Sequence, residues 1–380
     1  MLNVFGIPRD RNPFPFEPPR EVDYWADNKT VLRKIVQVHM DSVTFSSSFV
    51  YILFGPIGGG KTFAVKYLAN PKTQSLLFES SQKPAFDVFN LRVPAIVPLR
   101  AGQLTFSLHK DIVVKCFSSI FKEIELAREL KKAKDIGEGK VKIAFNNLRK
   151  SLMVYLEGGV NTTAVESSEG YKFLTQSRSR LGKLQDVNEL VETIRVLAKI
   201  LSTKYGRIVI SIDELENLSK ASGTEKVLCS DFLRKMHDFV EHNLTLFLIF
   251  TFDSFEDVQR LLQKAFLSRV KDRIEFPFVA DEKDVKEYIT ECILQRTKIN
   301  PYKIIEEEVV DEISATLMRN FKGRLSFRDI NREMHKMFAS TYSLSDQSKP
   351  FRIDLALYNR AMKGITAEEV VKQLTEKLRK

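Results

Sequence analysis

The sequence predicts an α/β protein with a parallel sheet sandwiched by helices, followed by a small all-α domain. Five stretches rich in β-branched and aromatic residues recur with helical spacing between most of them, and this alternation is typical of a parallel sheet. After Pro277 the pattern is helical only. The predicted strands are Phe49–Phe54, Val93–Leu99, Arg207–Ile212, Leu244–Phe252 and Ile274–Phe278.

A glycine-rich turn follows the first predicted strand. In the stretch YILFGPIGGGKTFAVKYL, the spacing of Gly55, Gly60, Lys61 and Thr62 fits G-x-x-x-x-G-K-[ST]. In this P-loop pattern backbone N–H groups cradle phosphates, the lysine reaches the terminal phosphates and the hydroxyl binds magnesium. The backbone groups are expected from Gly55, Gly58, Gly59 and Gly60. We therefore expect ATP with Mg²⁺; the alternative is a glycine-rich turn with an incidental lysine.

Two adjacent carboxylates follow the third predicted strand. In RIVISIDELENL, the apolar run Ile208–Ile212 ends at Asp213, which can hold magnesium. Glu214 beside it can act as the base or position the attacking water. Ligands of open α/β sheets bind at this carboxyl edge. The alternative is a solvated acidic turn.

The fourth predicted strand brings a hydroxyl to the same edge. Thr251 can sense the terminal phosphate or orient water. An equally good interpretation is that Asp253 or Ser254 simply begins the next helix as its N-cap.

Two arginines precede or lie within the last predicted strand. Arg269 or Arg273 can point into the nucleotide site of a neighbouring subunit, as an arginine finger does. The alternative is that both are surface arginines paired with Asp272 or Glu275.

The chain length and patterning suggest several parts. About a hundred residues separate the second and third strands, far more than a crossover needs, so we expect a helical insertion with an aperiodic, partner-ordered or mobile stretch at 157–173. Helices are expected near 282–295, 306–320 and 326–340. The predicted parts are an extended N-terminal segment packing on the core at 1–30, the ATPase core at 31–280, the insertion at about 102–186, a helical lid at 281–342, and an extension with a terminal helix at 343–380.

The composition favours an anionic partner. Lysine and arginine number 59 against 49 acids, a net charge of +10 with pI about 9.3, which suits phosphate backbones such as DNA. No apolar stretch approaches the roughly 18 residues of a membrane span, and no secretory signal opens the chain, so we expect a cytoplasmic protein without membrane contact. Basic residues of the insertion expected to contact DNA phosphates are Lys131, Lys132, Lys134, Lys140, Lys142, Arg149 and Lys150.

Four motifs together resemble those of AAA+ ATPases. GPIGGGKT, ISIDELENL, SRVKDRIEFPF and GRLSFRDINREM are similar to the pattern of origin-recognition initiators and related transposition ATPases, and NPFPFEPP looks like their adenine-pocket segment. The resemblance implies that Lys61 and Thr62 bind phosphate and magnesium and that Asp213 and Glu214 form the Walker B pair. It further makes Arg269 the finger and Arg328 the second sensor.

The sequence departs from that family in two places. The first-sensor position is often asparagine in the family, whereas this chain offers Thr251. About forty residues follow Ser340, too few for a winged helix, so we do not expect autonomous, sequence-specific origin binding.

These observations leave two main functional hypotheses open. The first is an oligomerising, DNA-associated AAA+ ATPase with ATP held between protomers. The second is a nucleotide-gated switch that acts on a protein partner without DNA. A small-molecule phosphotransferase is disfavoured because it would leave Asp213–Glu214, the distal arginines and the helical lid without a role.

Overall fold

The computed structural model divides into two compact units. It describes residues 5, 7, 12–15, 22–26, 28–45, 47–77, 85–92, 103–158, 162–176, 186–240, 244–345 and 352–364. The helical unit comprises Met1–Leu32, Pro56–Phe63 and Phe276–Lys380, and the sheet unit comprises Arg33–Gly55 and Ala64–Glu275.

The sheet unit contains a five-stranded parallel sheet. Its strands are β1 (Phe49–Phe54), β2 (Ala85–Arg92), β3 (Arg207–Asp213), β4 (Leu244–Phe250) and β5 (Val270–Glu275), in the order β2-β3-β4-β1-β5. Every residue of β1, β3 and β4 is buried, as their apolar runs require in a sheet covered on both faces. The edge strand β5 instead alternates charged exposed residues with less exposed ones.

Two strands differ from their predicted positions. The structure places the second strand at Ala85–Arg92, and the predicted stretch 93–99 lies outside the described residues. The fifth strand begins at Val270 rather than Ile274. The sequence VKDRIE has no apolar run to signal it, because an edge strand is solvated along one side.

The helices account for most of the remaining described chain. They are α1 (Lys29–Thr44), α2 (Lys61–Ala69), α3 (Pro71–Leu77), α4 (Gln103–Lys122), α5 (Ile124–Lys132), α6 (Gly139–Gly158), α7 (Thr162–Glu166), α8 (Glu169–Thr175), α9 (Val187–Leu201), α10 (Gly223–Phe239), α11 (Phe255–Leu261), α12 (Lys264–Leu267), α13 (Glu282–Thr297), α14 (Glu307–Phe321), α15 (Phe327–Leu344) and α16 (Leu355–Lys363). None of the helices in the described part combines the length and apolarity needed to cross a lipid bilayer.

The long segment between β2 and β3 folds as helices on the sheet unit's own core. Phe117 and Phe145 of α4 and α6 are fully buried in the same hydrophobic cluster as the sheet. The described part of 157–173 contains α7 and the start of α8 rather than an aperiodic stretch. Gly170 makes this packing possible, because a Cβ there would lie 2.2 Å from the Ala144 carbonyl oxygen. Because glycine lacks a Cβ, α8 can pass α6 with the two backbones in contact.

The helical unit has a separate hydrophobic core built from α13, α14, α15 and α16. The described N-terminal residues, expected on the ATPase core, lie in this cluster instead: Phe14 stacks on Phe338, and Phe5 meets the same ring edge to face. These aromatic side chains bury more area against helices than an extended polar segment could. Ile353 extends the cluster beyond residue 342 and donates its N–H to the Ile304 carbonyl at 2.9 Å. The described part of the predicted extension at 343–380 contains α16 (Leu355–Lys363), and residues 365–380 lie outside the described residues.

Candidate nucleotide-binding site

Three chain segments converge at the carboxyl edge of the sheet. β4 lies between β1 and β3, and Phe54 is in register with Phe250. Gly55, Thr251 and Asp213 therefore stand at the ends of three adjacent strands. The structure brings the predicted magnesium carboxylate and the predicted sensor to one edge, as parallel strands require.

The backbone at the carboxylate pair is held in an uncommon conformation. Asp213 is the last residue of β3, only 7% exposed, and its Oδ1 accepts a hydrogen bond from the Glu214 N–H at 2.8 Å. Glu214 has φ 59° and ψ 32°, the left-handed region, which costs a residue other than glycine on the order of 1–3 kcal/mol. The 3₁₀ helix Leu215–Lys220 follows, with Leu215 and Leu218 fully buried. Packing of this turn fixes the half-buried Glu214 directly beyond Asp213.

A third acidic residue, missed by the sequence analysis, joins two strand ends. Glu216 Oε2 accepts a hydrogen bond from the Thr251 N–H at 3.1 Å. The repeated acid in DELE is the sequence signal that points to it. Ser254 begins α11, but its hydroxyl donates to Asp257 and does not cap the helix. The position of Thr251 is thus set by the turn after β3.

The phosphate loop of the helical unit has a tightly folded backbone. Gly58 and Gly60 have φ of 78° and 96°, which glycine adopts without strain. Lys61 is 6% exposed, and its Nζ donates to the Pro56 carbonyl at 2.7 Å. Thr62, half-buried, follows in the first turn of α2. A helix N-terminus with a glycine-rich approach is suited to binding phosphate.

The first turn of α15 lies against this loop. A Cβ on Gly58 would be 2.5 Å from the Arg328 Cβ and 2.9 Å from the Ser326 hydroxyl, so only glycine fits. Ser326 and Asp329 form a capping box that fixes the start of α15 and with it the exposed Arg328. Residues 270 positions apart in the sequence, Gly58 and Arg328, are therefore neighbours.

Aromatic side chains that the sequence analysis did not single out surround the same loop. Phe63 meets Tyr24 and Trp25 edge to face, with ring centroids 5.3 and 6.0 Å apart. The Phe327 ring lies 3.9 Å from where a Cβ on Gly60 would stand, and Tyr288 packs on it at 4.6 Å. Such rings can stack on a nucleotide base.

The described part of the adenine-pocket segment is anchored to this unit as well. The Pro15 carbonyl accepts from Asn331 Nδ2 at 2.9 Å, while residues 16–19 of the segment lie outside the described residues.

Arg269 lies at the opposite, amino edge of the sheet. With Phe49 and Val270, the first residues of β1 and β5, it lines a cavity of about 440 Å³. A strand of six residues at about 3.3 Å per residue places this edge about 17 Å from the carboxyl edge. The structure therefore does not bring Arg269 to the carboxylates of its own sheet.

The partners of Arg269 and Arg273 also differ from those expected. Arg269 pairs with Asp238 rather than with Asp272 or Glu275. Arg273 is exposed along β5, and its guanidinium carbon lies 3.8 Å from the centroid of the Phe255 ring.

The basic residues of the insertion face solvent to different degrees. Lys131 and Arg149 are half-buried, and Lys140 pairs with Glu189 at 3.3 Å. The exposed members are Lys132, Lys134, Lys140, Lys142 and Lys150.

The residues present fit a magnesium nucleotide. In the helical unit, the glycine loop has no room for a side chain at Gly58, and Lys61 and Thr62 supply the donor and the hydroxyl that suit a phosphate group. In the sheet unit, Asp213 is an oxygen ligand of the kind that Mg²⁺ prefers. Among the described residues, no cluster of three or more His, Cys, Asp or Glu forms a separate metal site.

The fold has known relatives. No protein-family model matches the sequence, and no curated protein is similar to it in sequence. The chain is similar to the Aeropyrum pernix ORC1 protein in complex with DNA, at 13% identity and a TM-score of 0.50, over 93% of this chain and 69% of that chain. It is also similar to the A. pernix ORC2 protein in ADPNP–ADP complexes, at 11% identity and a TM-score of 0.50, over 96% of this chain and 75% of that chain. The likeness concerns the fold: the chain has the AAA+ fold of the archaeal ORC-type initiators, and the predicted fold class is confirmed.

Proposed function

We propose that the chain is an oligomerising AAA+ ATPase that hydrolyses ATP with Mg²⁺ and acts on DNA. The observation that carries this proposal is the strand order, which brings Gly55, Thr251 and the Asp213–Glu214 pair to one sheet edge. A structural glycine turn or a solvated acidic turn would not need that convergence.

The phosphate loop binds and orients the nucleotide. Backbone N–H groups at Gly58, Gly59 and Gly60 cradle phosphates, Lys61 pairs with the terminal phosphates, and Arg328 approaches from the start of α15. When bound, Mg²⁺ would neutralise charge that develops on the transferred phosphoryl group. Thr62 of this loop would be one of its ligands.

The carboxylate pair divides two tasks. Asp213 would hold Mg²⁺, whereas Glu214 accepts the proton of the attacking water or orients that water. The hydrogen bond from Glu214 N–H to Asp213 fixes one oxygen of the metal ligand. Thr251, set in place by Glu216, contributes a hydroxyl at the same edge.

Assembly supplies the remaining catalytic group. Arg269 stands at the amino edge, about a strand length from the carboxylates of its own sheet, so it serves ATP bound to a neighbouring copy. Each site is then complete only when two subunits meet.

DNA is the proposed partner because the exposed charge of the insertion suits a phosphate backbone. Lys132, Lys142 and Lys150 are exposed, and the chain carries a net charge of +10. The ORC1 protein, whose fold this chain shares, was solved in complex with DNA, which supports the same partner here.

A thermal shift with magnesium-ATP tests the nucleotide site. At about a hundred times the dissociation constant, ATP should stabilise the wild type by about 2.7 kcal/mol. Lys61→Ala should lose this shift, whereas Lys66→Ala, one turn further along α2, should keep it. If magnesium-ATP does not change the melting temperature of the wild type, the nucleotide assignment is refuted.

A salt series tests the DNA assignment. Each neutralised phosphate should contribute a slope of about −0.9 in log K against log salt on a duplex. The triple variant Lys132→Gln, Lys142→Gln, Lys150→Gln should flatten that slope by about 2–3 in fluorescence anisotropy, and equally for unrelated sequences. The matched control is Lys283→Gln, Lys303→Gln, Lys322→Gln, three exposed lysines of the helical unit. Undetectable DNA binding at low salt with ATP present would favour the protein-partner switch instead.

A further inference from the structure

The guanidinium of Arg269 is almost fully committed within its own subunit. Nε and Nη2 donate to Oδ1 and Oδ2 of Asp238, both at 3.3 Å, in a two-point pairing. Nη1 donates to the Ala265 carbonyl at 3.0 Å and to the Ser268 hydroxyl at 2.9 Å. A guanidinium has five N–H donors. Four of these donors are thus engaged. For a bidentate contact with phosphate, Arg269 must break its two hydrogen bonds to Asp238.

Asp238 has other partners that would remain after such an exchange. His237 Nδ1 lies 2.9 Å from Oδ1, and Arg234 Nη1 donates to Oδ2 at 3.4 Å. Burial raises the pKa of Asp238, but the hydrogen bonds from His237 and Arg269 outweigh it and hold that pKa below its usual range. A carboxylate that keeps two partners avoids most of the penalty of a bare buried charge.

The surroundings of Arg269 give its side chain room to move. The side chain is one-third exposed and borders the 440 Å³ cavity, whose other polar lining residues are Ser48, His237, Ser268 and Lys271. An ion pair that serves only to stabilise the fold would be expected deep in the core. This pair is instead partly exposed, and it lies at the amino edge, where the proposed function requires a neighbouring subunit to bring its ATP.

We propose that Asp238 is a latch that holds Arg269 in a withdrawn position, and that Arg269 moves from Asp238 to phosphate oxygens of ATP in the neighbouring subunit when subunits assemble. The inference rests on the proposed function, because it needs an arginine that acts between subunits. In this proposal, Asp238 sets the rate of ATP hydrolysis that a given degree of subunit assembly produces.

The test compares ATP turnover per subunit across a range of protein concentrations. Asp238→Asn keeps the side-chain shape but loses the charge, so it should raise turnover at low protein concentration by about three- to tenfold. Asp231→Asn is the matched control, since Asp231 lies on the same helix and pairs with Arg234 and Lys235 but not with Arg269. It should leave turnover unchanged.

The double variant separates a latch from a general effect on folding. In an Arg269→Ala background, Asp238→Asn should change nothing, because there is no finger left to release. A fall in turnover on Asp238→Asn, with an intact melting temperature, would mean that Asp238 positions the finger and would overturn the latch. An equal effect with and without Arg269 would also overturn it.

Failure of the latch is distinguishable from failure of the proposed function. Turnover that drops on Arg269→Ala but does not rise on Asp238→Asn overturns the latch alone. A wild type with neither turnover nor a thermal shift with magnesium-ATP overturns the ATPase assignment and the latch together.

Discussion

The carboxyl and amino edges of one sheet handle charge in different ways. At the carboxyl edge, Asp213 and Glu214 follow each other in the chain and sit beside a hydroxyl from the next strand. At the amino edge, the guanidinium of Arg207 is fully enclosed and donates to three backbone carbonyls and one hydroxyl, and Arg269 is paired to Asp238. One edge presents oxygen ligands, while the other holds Arg207 and Arg269 in contacts within the subunit.

Burial at the amino edge also lowers the pKa values of two basic side chains. Burial lowers the pKa of Arg207 to about 10 and that of His39 to about 4, and the Arg207 charge adds to the effect on His39. At the carboxyl edge, the two carboxylates are adjacent in the sequence, whereas the arginines of the amino edge are held by contacts between distant parts of the chain.

The largest effect is expected from removing the amino-edge arginine. Arg269→Ala should lower ATP turnover by about 10³-fold with little change in nucleotide affinity, because the finger acts on the neighbour's nucleotide. Arg273→Ala, whose guanidinium stacks on Phe255, is the control. Mixing Arg269→Ala with Glu214→Gln subunits should recover activity, since one composite site is then intact. A greater loss in Arg273→Ala would assign the finger to Arg273.

A smaller loss is expected at the carboxyl edge. Glu214→Gln should reduce turnover by about 10²-fold, because the amide cannot accept the proton, while ATP binding persists. Single-turnover hydrolysis measured beside equilibrium ATP binding separates the two. Equal losses of binding and turnover would instead place Glu214 among the nucleotide ligands.

Acidification should lower the free energy of unfolding, because His39 is buried near the amino edge. The folded protein holds the pKa of His39 at about 4 against 6.5 in an unfolded chain, so the unfolded state takes up the proton first as the pH falls. This stability is fully present above about pH 6.5 and is lost toward pH 4, by about 1.4 kcal/mol per pH unit. His39→Met should flatten the dependence in denaturant melts at several pH values. A residual slope is expected from His109, whose pKa burial lowers to about 3.

The smallest effect is expected at the link between the two strand ends. Glu216→Gln weakens the hydrogen bond from the Thr251 N–H and should cost about 1 kcal/mol, or about 2–4 °C in melting temperature. Turnover should fall by less than in Glu214→Gln. The exposed Glu256→Gln on α11 is the control, and an identical change in both variants would remove the special role of Glu216.

Sequence patterns anticipated the buried strands and missed what depends on tertiary contact. The runs at β1, β3 and β4 are continuous and apolar because both faces of the sheet are covered, so their positions follow from hydrophobicity alone. The edge strand β5 started four residues earlier than predicted, because its charged alternation hides it.

The candidate site divides in the same way. Lys61, Asp213 and Glu214 belong to local motifs, and the roles given to them remain predictions. The contacts Glu216–Thr251 and Asp238–Arg269 join residues 35 and 31 positions apart. The DELE sequence points to Glu216, but no local pattern identifies the partner in either contact. A sequence motif can therefore predict a site only where the residues that form the site are also close together in the chain.

The left-handed backbone at Glu214 implies a compromise between durability and activity. Glycine adopts φ near 59° at no steric cost, so Glu214→Gly should relieve strain there even as it removes the proposed base. Selection for heat resistance alone would therefore favour glycine at this position and discard hydrolysis with it. Retaining glutamate makes the turn after β3 less stable than this chain could otherwise achieve, and screens for thermostable variants should count ATP turnover as a second criterion.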